Sequence, residues 1–251
     1  DIEASGMPVI KGTVPGHLEL DLMRDGILPD LFYSTNTFMA QKFENLHSWY
    51  YTTVEVTDVN NYIEFEGIDT VADIYVNGKL VKSVDNMFMS HKIYPEFNDG
   101  VNEIVVHIRP ATIEARKYTV PAGSNMLHYN YAGVYIRKPA HSFGWDIMPR
   151  IVTSGLWGDV KVKPIKKDAI EEVYLATLKL EDNKALMTLY INTEMSGDFA
   201  QDYSFKVEGV CGDSTFEVED VFFHTSYQSQ FEIENPELWW CKPVGEPKLY
   251  D

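Results

Sequence analysis

"ADIYVNGKLVKSV", residues 72–84, sets Asn77-Gly78 between two runs in which apolar and polar residues alternate. A two-residue Asn-Gly loop supplies the positive φ that both central positions of a type I′ turn require, so the stretch predicts a β-hairpin. The same logic extends in both directions. Upstream, "SWYYTTVEV" (48–56) has strand composition. Downstream, Asp99-Gly100 marks a turn before the strand "NEIVVHIR" (102–109), and "SGLWGDVKVKPI" (154–165) closes the region with another strand. Leu18, Leu20, Leu22 and Met23, between the breaker pairs Pro15-Gly16 and Asp25-Gly26, predict one short helix. Residues 111–141 open with a short helical pattern and then carry the Pro, Gly, Ser and Asn of a long functional loop.

From about residue 168 the pattern becomes short strands at even spacing: "IEEVYLATLKL", "KALMTLYINTEM", "YSFKVEGVCG", "STFEVEDVFF" and "SQFEIE". Strands separated by polar turns with almost no helical period indicate a small antiparallel sandwich. The expected fold is therefore all-β. A jelly-roll sandwich spans 1–165 and an immunoglobulin-like sandwich spans 166–251, with the boundary at Pro164 to Lys167.

Composition narrows the partners. A net charge of -17 disfavours nucleic acid and anionic membrane surfaces, because phosphates are repelled over most of the protein. No run of 18 apolar residues exists, so no membrane-spanning helix is expected. Aromatic residues make up 13% of the chain, which fits either a pleated surface or stacking on sugar rings. Cys211 and Cys241 form neither a disulfide framework nor a metal spacing; free thiols are expected, and no metal or other cofactor. The chain opens on Asp1, for which processing of an exported protein is one explanation, so a periplasmic or secreted location is expected over a cytoplasmic one.

Candidate chemistry is sparse. Glu103 starts a strand right after a turn and reads as a solvent-facing residue rather than a catalytic acid. Glu171 and Glu172, adjacent in a strand, point to opposite faces and cannot work as an acid–base pair. No second carboxylate is spaced to complete a glycosidase pair. His128, His141 and the other histidines are scattered and read as loop residues. The segment "SFGWDIMPRIVTSGLWGDV" (142–160) breaks the alternation, holding Asp146 between bulky neighbours. That carboxylate is either an architectural anchor accepting backbone N–H bonds or a ligand contact.

The segment "RKPAHSFGWDIMPRIVTSGLWGDVKV" resembles the loop and closing strand of the N-terminal domain of family 2 glycoside hydrolases, particularly the β-mannosidase branch. "GTVPGHLELDLMRDGILPDLFY", "FEGIDTVADIYVNGKLVKSVDNMF" and "NPELWWCKPVGEPKLYD" resemble further segments of that branch in the same order, spanning residues 11–251. The resemblance implies a jelly-roll sugar-binding domain, an immunoglobulin-like sandwich and then a TIM barrel holding two catalytic glutamates. This chain would be the non-catalytic N-terminal region of an exo-acting retaining β-glycosidase, with its second sandwich lacking a final strand. Carried over by position, Asp146 would hydrogen-bond glycone hydroxyls, Trp145 would shape the pocket wall, and Asn36 would send a polar group toward the sugar. The partners implied are a β-mannoside or related carbohydrate and the barrel. Where the branch has Trp-Gly after the aspartate, this chain has Ile147-Met148, and loss of the glycine could forbid the usual backbone conformation. Two rivals stand beside this reading: a stand-alone carbohydrate-binding module, and an extracellular adhesion protein using both sandwiches as spacers.

Overall fold

The computed structural model describes residues 9–122 and 131–251. The chain divides into two compact units, Asp1–Ile165 and Lys166–Asp251. Both are built from antiparallel strands, so the expected all-β class holds.

In the first unit, helices α1 (Leu18–Arg24) and α2 (Thr37–Ala40) precede β1 (Ser48–Val56), β2 (Asn61–Phe65), β3 (Val71–Val76), β4 (Lys79–Val84), β5 (His91–Ile93) and β6 (Gly100–Arg109). Two further short helices, α3 (Ala111–Ala115) and α4 (Ala132–Tyr135), lead to β7 (Val160–Pro164). A four-stranded sheet, β1-β6-β3-β4, faces a three-stranded one, β5-β2-β7. The β3–β4 hairpin forms as expected, with Asn77 at φ 51° and Gly78 at φ 77°. In β6 the alternation is strict: Asn102, Ile104, Val106 and Ile108 are buried, while Glu103, Val105, His107 and Arg109 face outward. The inward set joins Ile63, Phe65, Ile74 and Ile93 in the main core. Asn102 is fully buried and satisfies its whole amide, donating to the carbonyls of Asn98 and Gly100 and accepting from Asn77 and Asn98.

The helix α1 forms as expected, with Leu22 in an apolar cluster against which Leu18 and Met23 pack. Glu19, Asp21 and Leu22 are buried and Leu20 is exposed. Asp21 is buried because Arg24 (2.6 Å) and the Thr13 amide (3.1 Å) both donate to it, fastening the preceding segment to the helix.

The second unit contains β8 (Ala169–Glu181), β9 (Lys184–Glu194), β10 (Ser204–Cys211), β11 (Ser214–Val221) and β12 (Ser226–Glu234). A three-stranded sheet, β12-β9-β8, and a two-stranded sheet, β10-β11, enclose Leu189, Ile191, Phe205 and Phe222. The ladder shifts between Ile170 and Glu172, so a bulge at Glu171 replaces the simple alternation expected there. Both cysteines are free, Cys211 buried and Cys241 exposed.

Candidate sugar-facing loop

The non-alternating segment forms a projecting loop. A short 3-10 turn (Ala140–Phe143) ends at Gly144, whose φ of 100° redirects the chain. Phe143 is fully buried among Val71, Ala111, Ala115, Ile136 and Val152 and anchors the loop from below. Arg150 closes the base: its guanidinium grips Glu44 with two bonds of 2.9 and 3.0 Å and donates to the Phe143 carbonyl at 3.0 Å. Above that base, Trp145 and Met148 exchange backbone bonds of 3.1 and 3.3 Å, leaving Asp146 and Ile147 at the tip.

Main-chain pairing of Trp145 with Met148, not the Asp146 carboxylate, therefore holds the turn. Asp146 is exposed and makes no hydrogen bond or ion pair with any described residue. Trp145 is 70% exposed and Ile147 87%. Ile147 and Met148 both avoid positive φ, so this turn does not require the glycine that the β-mannosidase branch has there.

Asn36 contributes differently. Its side-chain amide donates to the Asp30 carbonyl at 2.9 Å and holds the turn after Leu31, leaving one N–H and the carbonyl oxygen for other partners. No hydrogen bond joins Asn36 to Trp145 or Asp146 among the described residues. The two regions are braced indirectly, because Ile151 packs against the apolar cluster that contains Leu31 and Ala40, and Glu44 holds Arg150.

Both roots of the loop converge on a buried ion pair that sequence reasoning missed. Lys138, just before the loop, and Thr153, just after it, both bond to the Asp69 carboxylate, Thr153 at 2.7 Å. Lys138 also donates to the Thr153 carbonyl (3.1 Å) and hydroxyl (2.9 Å), and the Thr70 hydroxyl donates to the other Asp69 oxygen. The side chains of Lys138 and Asp69 are both 0% exposed. His17 lies 3.7 Å from Asp69, and burial, partly offset by that carboxylate, holds its imidazole below the usual range. Gly155 is where these segments meet: it pairs with Asp69 in a β-bridge, and a Cβ there would lie 2.4 Å from the Gly16 carbonyl oxygen.

Glu19 adjoins this cluster and accepts from the Ser154 amide at 3.4 Å. Burial pushes its carboxyl up to about 7 from an ordinary 4.5. A raised carboxyl favours folding while protonated, so its contribution is whole below pH 4.5 and is lost as pH climbs to 7. The variant Glu19→Gln, which keeps the acceptor but cannot ionise, is expected to match the native chain at pH 4.5. Above pH 7 it should exceed native stability by an amount on the order of 3 kcal/mol. Urea midpoints at pH 5 and pH 8 check this; a difference independent of pH would refute it.

The remaining sequence candidates are structural. Glu103 is half-buried, its amide donating to the Asn77 side chain at 2.9 Å. Glu172 accepts from Asn192 at 3.0 Å. His141 is exposed at the foot of the loop, and His128 lies outside the described residues.

"Beta-mannosidase B" of Emericella nidulans is 24% identical over 95% of this chain, and a "Probable beta-mannosidase" of Caenorhabditis elegans is 24% identical over 96%. The chain spans about 30% of the length of these curated relatives. The crystal structure of the β-D-mannosidase from Dictyoglomus thermophilum superimposes on 95% of the chain with a TM-score of 0.75 at 30% identity, this chain covering 31% of that one. An exo-chitosanase from Amycolatopsis orientalis shares the fold, with a TM-score of 0.57 at 19% identity over 94% of this chain and 27% of its own. The profile described as "Glycosyl hydrolase 2 galactose-binding domain-like" matches residues 2–158, and by that match the chain belongs to glycosyl hydrolase family 2.

Proposed function

We propose that this chain is the N-terminal, non-catalytic region of an exo-acting retaining β-mannosidase, and that its Trp145–Asp146 turn completes the sugar pocket of a barrel domain. The observation that carries this reading is a rigidly rooted turn whose tip carboxylate has no protein partner among the described residues. A carboxylate can accept two hydroxyl donors at once, which suits the adjacent hydroxyls of a terminal sugar. Trp145, exposed beside it, offers an apolar ring to the sugar's C–H face. The hydrolysis itself belongs to two carboxylates of the barrel. One attacks the anomeric carbon to form a glycosyl-enzyme, while the other protonates the leaving oxygen and then deprotonates the incoming water.

The test is a kinetic comparison of the whole protein carrying this chain on aryl β-mannoside, β-galactoside and β-glucosaminide. The expected result is the highest kcat/KM on the mannoside. Preference for either other sugar overturns the β-mannosidase reading, and absence of all three activities overturns the glycosidase reading.

A further inference from the structure

The outer face of the β1-β6-β3-β4 sheet carries a cluster that the sugar-facing loop does not use. Strand pairing sets Trp49 opposite His107, and His47, two residues before Trp49, extends the same side of β1. Three rings consequently line up. His107 stacks on Trp49 at 3.8 Å and 6°, and on His47 at 4.9 Å and 23°. His47 Nδ1 and His107 Nε2 face each other at 2.7 Å, so a single proton lies between two imidazole nitrogens. Behind His107, its Nδ1 lies 3.9 Å from Asp73, which accepts from Ser83 at 2.6 Å and from Arg109 at 3.1 Å.

We infer that His47 and His107 form a binding site for a late first-row divalent cation, with Cu(II) the best fit. The inference is independent of the proposed glycosidase role. Once the shared proton leaves, each ring presents a nitrogen lone pair at the same gap, as adjacent positions of a metal shell require. At metal–nitrogen distances of roughly 2.0–2.1 Å, such ligands sit about 3 Å apart, so the pair opens by only a few tenths of an ångström. His47 is exposed on the connection between α2 and β1 and can make that movement. His107 is held by the Trp49 stack, and the Asp73 carboxylate, 3.9 Å from its Nδ1, places negative charge beside the ring.

Copper leads the affinity order for such nitrogen sites, and imidazole suits it. No group of three or more His, Cys, Asp or Glu is positioned for a metal among the described residues, so water completes the shell and the ion exchanges. The charged neighbours are balanced: Arg109 opposes a cation, while Asp73 and Glu114, both paired with Arg109, favour one.

The test titrates Cu(II) into the 251-residue chain at pH 7.5 in a non-coordinating buffer, following heat and tryptophan fluorescence. The expected result is one equivalent bound with quenching of Trp49, whose ring lies against His107. His47→Gln, an exposed substitution, should weaken that equivalent at least tenfold and abolish its quenching. His107→Gln should do the same, and Trp49→Phe should retain binding while losing most of the quench. Equal affinity in the native chain and His47→Gln, or binding without fluorescence change, would place the metal elsewhere and overturn the inference.

Discussion

Replacing Lys138 by methionine is expected to destabilise the first unit by about 3–5 kcal/mol, the usual cost of leaving one member of a buried ion pair without its partner. The side chain of Asp69 has no exposure to water, and without Lys138 it would keep only the Thr70 and Thr153 hydroxyls and a His17 imidazole 3.7 Å away. The loss also loosens the loop, because Lys138 and Thr153 mark its two roots and Asp69 ties them together. Removing both charges, as in Asp69→Leu with Lys138→Met, should recover much of the loss, since an apolar pair of similar volume is often neutral. Urea midpoints of the two single variants and the double variant form a cycle that isolates the pair energy. A loss under about 1 kcal/mol for Lys138→Met would mean that Asp69 reaches water, contrary to the geometry.

Much of the architecture was legible because it follows from local rules. Asn77-Gly78 permits positive φ, so the hairpin was readable from two residues, and the Asp99-Gly100 turn announced the strand that forms β6. What was not readable depends on the partners that polar side chains meet only once the chain is folded. Helix α1 buries Glu19 and Asp21 and exposes Leu20, because Arg24, the Thr13 amide and the Ser154 amide wait for those carboxylates. The shape of the Trp145 loop rests on Arg150 meeting Glu44, 106 residues away, and on Lys138 meeting Asp69, 69 residues away. Neither pairing carries a spacing signal. The His47–His107 contact becomes readable only once the β1–β6 register is known, since that register alone places both rings on one face.

At the proposed site, the sequence singled out the turn but left its carboxylate with two possible jobs. Reciprocal bonds between Trp145 and Met148 remove the architectural one. On the proposed function, its loss should cost little in stability and much in sugar recognition. Asp146→Ala exposes no cavity and breaks no bond among the described residues, so its unfolding midpoint should move by less than about 0.5 kcal/mol. Hydrogen bonds from sugar hydroxyls to a carboxylate contribute roughly 1.5–3 kcal/mol each. Losing two should therefore lower kcat/KM by at least about 100-fold.

The most direct measurement is kcat/KM of the whole protein and its Asp146→Ala variant on an aryl β-mannoside, with urea unfolding recorded for both. A fall of two orders of magnitude with unchanged stability is the result expected if this turn reaches the sugar. Activity within twofold of the native protein would show that the carboxylate never touches substrate.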